Sequence, residues 1–128
     1  MPLKLDIEQV NAILATSPIV ASWQVLVEDE TIDRAFYKIR CRLLRPMYQL
    51  EIRLIQAEEA LLYSYQVFTE KPIMRWDNVP HFPTLQNFPH HFHNEVSDVE
   101  ASLLTGDPVQ DLPEILSRIR AVLIRPSY

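Results

Sequence analysis

The sequence of 128 residues contains one glycine, one cysteine and no long apolar run. Glycine-rich phosphate-binding loops need several glycines, so Gly106 alone excludes loops of the P-loop and dinucleotide-binding kinds. A lone Cys41 excludes an internal disulfide framework and fits a reducing compartment. No stretch approaches the roughly 20 apolar residues of a membrane-spanning helix, and the N-terminus lacks the apolar segment of a secretory signal. We therefore expect a cytoplasmic protein with a single domain over residues 1–128.

Proline and unevenly distributed charge are what the sequence does contain. Ten prolines against one glycine indicate turns built with a fixed φ angle. The formal net charge is −5, with a balance of −5 over residues 1–33, +4 over residues 34–75 and −4 over residues 76–128. The whole-chain charge argues against indiscriminate nucleic-acid binding, while the middle third has the composition of a local basic surface.

Five segments alternate between apolar and polar residues with a period of two. They begin near Ile19, Ala35, Tyr48 and Leu61 and after Pro72, and short polar or proline-containing turns separate them. Such segments predict an antiparallel meander with one apolar and one polar face. One cysteine and four large aromatic side chains fall on the apolar face and are expected in the core: Cys41, Trp23, Tyr63, Tyr65 and Trp76.

Helical spacing of apolar residues predicts one helix at each end of the chain. Asp6 is expected to cap the N-terminal helix, which Pro18 ends, and the C-terminal helix is expected from about Asp111 to Ile124 with Pro113 in its first turn. About thirty residues from Asn78 to Pro108 are predicted to be irregular, and loops of that length are usually functional or mobile. The predicted fold is α+β, with an antiparallel meander of four to six strands packed against both helices.

Five cations fall on the predicted polar face, with Glu51 and Asp77 as its acids: Lys38, Arg40, Arg42, Arg53 and Arg75. The planar fork of arginine binds phosphate oxygens bidentately, so this face suits a phosphodiester backbone. The alternative is a solvated face that keeps the sheet in solution, which is the default for antiparallel sheets.

All four histidines lie within 13 residues, in the stretch RWDNVPHFPTLQNFPHHFH from Arg75 to His93: His81, His90, His91 and His93. A proline directly before His81 and another before His90 restrict the local backbone. One interpretation is acid–base cleavage of RNA, because histidine titrates near neutral pH. Arg75 would then stabilise the developing charge, and Asp77 would orient an imidazole.

Two other chemistries stay open for the same segment. His91 and His93 point the same way in an extended chain and suit one metal ion, with His81 or Asp77 as a third ligand. No Cys-x-x-Cys or His-Glu-x-x-His motif accompanies them, so neither a metal nor another cofactor is predicted. The third interpretation is structural, with imidazoles bonded to backbone carbonyls of a proline-rich loop.

The sequences RWDNVPH at residues 75–81 and NFPHHFH at residues 87–93 resemble the signature of the TumE family, toxins of bacterial type II toxin–antitoxin pairs. Phe82 departs from that pattern, since relatives often have a further histidine there. The resemblance implies a cytoplasmic toxin neutralised by a cognate antitoxin, commonly a helix-turn-helix DNA-binding protein. Many small toxins that combine helices with an antiparallel sheet are RelE-like ribonucleases, and extending this activity to the chain is an analogy of fold.

The resulting hypothesis is a toxin that acts on RNA as a metal-independent ribonuclease. Its expected catalytic residues are His81, His90, His91, His93, Arg75 and Asp77, and its expected RNA contacts are Lys38, Arg40, Arg42 and Arg53. The alternatives are a non-catalytic module that binds protein or nucleic acid and, second, a metal-dependent phosphoesterase. Edge strands of a meander also allow pairing with the antitoxin or a second copy, so a homodimer stays open.

Overall fold

The computed structural model describes residues 5–58 and 60–124, which form two helices and seven strands. The elements in chain order are α1 (Ile7–Thr16), β1 (Val20–Glu30), β2 (Arg34–Leu43), β3 (Gln49–Ala57), β4 (Ala60–Phe68), β5 (Pro72–Asp77), β6 (His91–His93), β7 (Val99–Ala101) and α2 (Pro108–Leu123). All seven strands form one antiparallel sheet in the order β1 to β7. The predicted α+β class is confirmed, although seven strands exceed the predicted four to six.

Strands β6 and β7 account for the difference in strand number. Both lie within the segment Asn78–Pro108, so the prediction of an irregular segment was wrong for their six residues. A strand of three residues is too short for a period of two to be recognised. These two strands are stabilised by pairing with β5 and with each other.

The core lies on one face of the sheet, here called the core face. The alternation predicted for β2 to β5 is confirmed, because residues such as Tyr37, Ile52 and Met74 are buried while their neighbours along the strand are more exposed. Side chains from both helices belong to the same apolar cluster: Val10, Leu14, Leu112, Ile115, Ile119 and Leu123. Each large aliphatic side chain that is fully buried contributes about 1.5–3 kcal/mol, so the helices stabilise the sheet from this side.

The outermost strand, β1, departs from the predicted alternation. A register shift between Val25 and Val27 places Val27 opposite Lys38, on the face away from the core. One inserted residue reverses the faces of all later side chains, because the period of a strand is two.

Trp23 also differs from prediction, because it is 37% exposed rather than buried. Within the described part of the chain, its strand has a neighbouring strand on one side alone, and the indole N–H donates to Asn11 Oδ1 of α1 at 3.2 Å. The other four residues expected in the core are buried: Cys41, Tyr63, Tyr65 and Trp76.

The C-terminal helix begins three residues earlier than predicted. Asp107 is its N-cap and accepts the backbone N–H of Val109 at 3.0 Å, and Pro108 takes the first helical position. Pro113 therefore lies inside the helix rather than in its first turn. Neither of the helices in residues 5–58 and 60–124 is long and apolar enough to cross a membrane.

Candidate active site

The pairing of β5 with β6 assembles a group of ionisable side chains on the face opposite the core, here called the polar face. Asp77 of β5 lies opposite His91 of β6, and Arg75 lies opposite His93. Directly opposed residues of an antiparallel pair share a face, with Cβ atoms about 4.5–5.5 Å apart. We call Arg75, Asp77, His91 and His93 the Asp77 cluster. Register along β2 to β5 places Lys38, Arg40, Arg42 and Arg53 on the same face.

Asp77 is the centre of the cluster and is 3% exposed. Its Oδ1 lies 3.0 Å from His91 Nε2 and accepts the backbone N–H of Val79 at 3.0 Å. Its Oδ2 lies 2.8 Å from Arg75 Nε and 3.9 Å from His93 Nε2. The Arg75 Nε–H is not aligned for a hydrogen bond to that oxygen, so charge rather than hydrogen bonding links the two groups. A buried carboxylate thus lies against one guanidinium and two imidazoles.

His91 is only 2% exposed, and acceptors face both of its ring nitrogens. Nε2 faces the Asp77 carboxylate, and Nδ1 lies 3.1 Å from the carbonyl oxygen of Pro89. A carbonyl and an ionised carboxylate can only accept, so a ring nitrogen that carries a proton donates to the group that it faces. With both nitrogens occupied inside the protein, His91 can position Asp77 but has no nitrogen left for a substrate.

His93 has the opposite character. Its side chain is 27% exposed, and its Nε2 accepts a hydrogen bond from Arg75 Nη2 at 3.1 Å. Because arginine only donates, Nε2 carries no proton and the ring is neutral, with its proton on Nδ1. Burial lowers the pKa of His93, and the charges of Arg75 and His91 lower it further against the opposing effect of Asp77. The ring is therefore suited to accept a proton at neutral pH.

His81 is exposed and borders a groove on the polar face together with Arg53, Arg75 and Asp77. The neighbouring ring of Phe82 packs edge-on against His91, with 4.8 Å between ring centroids, and lies 6.0 Å from His93. This packing holds the segment that carries His81 beside the cluster. A second groove, lined by His93, begins on the other side of Arg75.

His90 is separated from the other three histidines. Its Nδ1 lies 2.7 Å from the hydroxyl of Tyr63, a core residue, and its Cε1 would lie 3.4 Å from a Cβ at Gly106. Burial raises the pKa of Tyr63 and lowers the pKa of His90, so both groups are neutral and the hydroxyl donates to Nδ1. The structure thus brings His81, His91 and His93 to the polar face and places His90 on the side of the core.

The remaining cations of the polar face differ in how far acids neutralise them. Arg40 Nη2 lies 2.8 Å from Glu51 Oε1, and Lys38 Nζ lies 3.7 Å from the same oxygen. Arg42 and Arg53 are exposed. The positive character of this face is therefore reduced at Glu51 and is retained at Arg42 and Arg53.

Two phenylalanines on the polar face went unnoticed in the sequence. Phe36 lies two residues before Lys38, and Phe68 lies two residues after Gln66, so the period of two places both among the polar residues. Arg53 Cζ lies 5.8 Å from the ring centroid of Phe36, and Arg40 Cζ lies 5.7 Å from that of Phe68.

Asp77, His91 and His93 are also grouped closely enough to hold a metal ion, since one ligand atom from each lies within 4.8 Å of the others. However, the guanidinium of Arg75 donates to His93 and lies beside Asp77, and His91 Nε2 lies 3.0 Å from the same carboxylate. A divalent cation would have to displace Arg75 from His93 and from Asp77. The donor set is therefore arranged around a guanidinium rather than around a metal.

Comparison with known proteins finds a matching family model. The model of the family described as toxin TumE matches residues 10–123, nearly the whole length of the chain. No curated protein and no solved structure matches the chain significantly. The matched range includes every residue of the Asp77 cluster and every cation of the polar face.

Proposed function

The chain belongs to the TumE family of toxins, and we propose that it acts as a metal-independent ribonuclease. One observation carries this proposal: Arg75 is held over a buried carboxylate between two grooves, one bordered by His81 and the other by His93. Cleavage of RNA through its 2′-hydroxyl requires a base, an acid and a cation at the phosphate. Arg75 lines both grooves, which supports His93, His81 and Arg75 as the candidates for these three groups.

The proposed roles follow from protonation and exposure. His93 accepts the proton of the 2′-hydroxyl at Nε2 as the 2′-oxygen attacks phosphorus, and this step requires that Arg75 Nη2, which donates to that nitrogen in the structure, turn to the phosphate. His81, in its imidazolium form, donates a proton to the 5′-oxygen as the bond from phosphorus to that oxygen breaks. The products are a 2′,3′-cyclic phosphate and a free 5′-hydroxyl. The side chain of Arg75 is 43% exposed, so its outer N–H groups can stabilise the charge on the phosphate.

Asp77 and His91 act in this proposal as positioning residues. Their contact is buried, with 3.0 Å between His91 Nε2 and Asp77 Oδ1, and Asp77 holds the guanidinium of Arg75 at 2.8 Å. A guanidinium fixed in this way loses less conformational freedom when it binds a phosphate.

The other cations of the polar face would bind phosphates on either side of the scissile bond: Lys38, Arg40, Arg42 and Arg53. Each contact of this kind releases counterions, so affinity should fall as salt rises. The cleavage step itself needs only the groups around Arg75.

The experiment is cleavage of a labelled RNA by purified, untagged protein in the presence of EDTA. We expect His93→Gln and His81→Gln each to reduce the cleavage rate by about 10²- to 10⁴-fold, the usual contribution of a general acid or base. His90→Gln is the matched control, because that ring lies on the side of the core, and it should keep most of the activity. A 2′,3′-cyclic phosphate on the product would identify attack by the 2′-oxygen.

Three results would contradict the proposal in different ways. Cleavage that EDTA abolishes and Mn²⁺ restores would support the metal-dependent phosphoesterase, for which the grouping of Asp77, His91 and His93 provides a site. Absence of cleavage by any variant would support a non-catalytic binding module. A loss of activity in His90→Gln as large as in His93→Gln would place the chemistry elsewhere.

Membership of a toxin family implies an antitoxin partner. A helix-turn-helix in that antitoxin, a homodimer and a cytoplasmic location stay predictions. Co-expression with the protein encoded by the neighbouring reading frame would test the partner, because restored growth is expected only with the cognate antitoxin.

A further inference from the structure

The polar face combines cations with aromatic and aliphatic side chains, a combination that a merely solvated surface does not need. At one end of the sheet, Phe36 lies opposite Ile55, and Ile55 lies opposite Leu62. At the other end, Phe68 lies opposite Gln49. Phe36 and Phe68 are partly buried, and Leu62 is exposed.

Four cations lie between these two ends, and Arg42 lies in the same row as Phe68. Phe68 is six residues along β4 from Leu62, so about 20 Å of strand separates the apolar ends, at roughly 3.4 Å per residue. Lys38 and Arg53 face each other within this span, and so do Gln66 and Arg75. The length is sufficient for several nucleotides to cross the cations while bases reach the rings at either end.

Guanidinium groups already contact both rings. Arg53 lies over Phe36 and Arg40 lies over Phe68, each with its Cζ within 6 Å of the ring centroid. A planar cation and an aromatic face are the two surfaces on which unpaired bases stack. The bases of a duplex are stacked on each other inside the helix and cannot reach such rings.

From these observations we propose that the polar face is a binding site for single-stranded RNA, with bases stacked on Phe36 and Phe68 and phosphates bound by the arginines between them. This inference rests on the proposed function for the identity of the nucleic acid, and it adds the strandedness and the stacking residues. It predicts that the aromatic rings and the cations contribute separately to affinity.

The test measures binding without cleavage. The probe is a fluorescently labelled ten-nucleotide RNA with 2′-O-methyl groups, which lacks the attacking hydroxyl, either alone or annealed to its complement. Fluorescence anisotropy over a range of salt concentrations gives the affinity and its salt dependence. We expect the single strand to bind the wild-type protein at least about ten-fold more tightly than the duplex, since the duplex has no base available for stacking.

Variants of the rings and cations separate the two contributions. Phe68→Leu and Phe36→Leu keep apolar bulk without an aromatic face, and each should weaken single-strand binding about ten-fold at every salt concentration. Phe68→Trp should retain binding. Arg42→Gln should instead make the logarithmic salt dependence shallower by about 0.7, the value for one lost phosphate contact on a single strand. Trp23→Leu is the control, because this exposed aromatic lies opposite Cys41 rather than on the polar face.

The inference would be overturned if the protein bound the duplex as tightly as the single strand. It would also be overturned if both leucine variants bound the single strand as the wild type does, with unaltered urea midpoints. Cleavage of an unmodified RNA, measured in parallel, keeps the two proposals distinct. A protein that cleaves RNA but binds both probes equally would refute single-strand stacking alone. A protein that prefers the single strand and depends on the rings, yet cleaves nothing, would refute the ribonuclease and support the site described here.

Discussion

Replacing Asp77 by asparagine would remove one negative charge from the Asp77 cluster with almost no change in shape. The carboxylate is 3% exposed and is bonded to His91, which is 2% exposed. In the variant, the amide oxygen can still accept from His91 or Val79, but the amide nitrogen would face Arg75 Nε, which lies 2.8 Å from Oδ2. The expected effect is a large loss of stability.

The magnitude follows from the burial of each partner. A lost hydrogen bond to a charged group costs about 1.5–3 kcal/mol, and breaking a buried ion pair costs about 3–5 kcal/mol. Arg75 is partly hydrated, so its share is small. We expect the free energy of unfolding to fall by about 3 kcal/mol.

Urea denaturation followed by circular dichroism measures this change. A loss of about 3 kcal/mol should lower the midpoint by about 2 M if the slope is near 1.5 kcal/mol per molar. Glu51→Gln is the matched control on the same face, because Glu51 pairs with partly exposed Arg40 and Lys38. This substitution should lower the free energy of unfolding by at most about 1 kcal/mol. Equal losses in Asp77→Asn and Glu51→Gln would refute the buried charge network.

Three further predictions concern protonation and backbone geometry. Arg75→Gln should raise the pKa of His93 towards its ordinary 6.5, because a nearby positive charge is removed while burial persists; an NMR titration of the ring proton that finds no rise would contradict this. Because the pKa of His93 is lowered in the folded protein, the unfolded chain binds more protons once the pH falls below about 6.5. The free energy of unfolding should therefore fall on acidification. His93→Gln should reduce this fall, measured by urea denaturation between pH 7.5 and pH 5. Gly106→Ala should lower the free energy of unfolding by about 1–2 kcal/mol, because Gly106 has φ of +92° beside His90. An unchanged melting temperature would exclude that strain.

The faces of the central strands were predictable because side chains alternate along any extended chain. Leu50, Ile52 and Leu54 of β3 are buried, while Glu51 and Arg53 lie on the polar face. This result needs no knowledge of which strands are neighbours, since antiparallel pairing in register preserves the faces. The same parity also places Phe36 and Phe68 beside the cations, and that signal was present in the sequence although the prediction omitted it.

The separation of His90 from the other histidines was also encoded locally. His90 and Phe92 share one parity, and His91 and His93 share the other, so an extended segment must present them on opposite faces. The prediction that His91 and His93 point the same way in an extended chain used this parity, but it was not applied to His90.

The sequence by itself determined the α+β class, the cationic face and the motif of the family. The tertiary structure alone decided that β6 pairs with β5, which sets His91 against Asp77 and His93 against Arg75. This register depends on backbone hydrogen bonds between segments far apart in the chain and on the stacking of Phe92 on Trp76, whose ring centroids lie 4.5 Å apart. Burial and protonation follow from those neighbours, and no local pattern of residues encodes them.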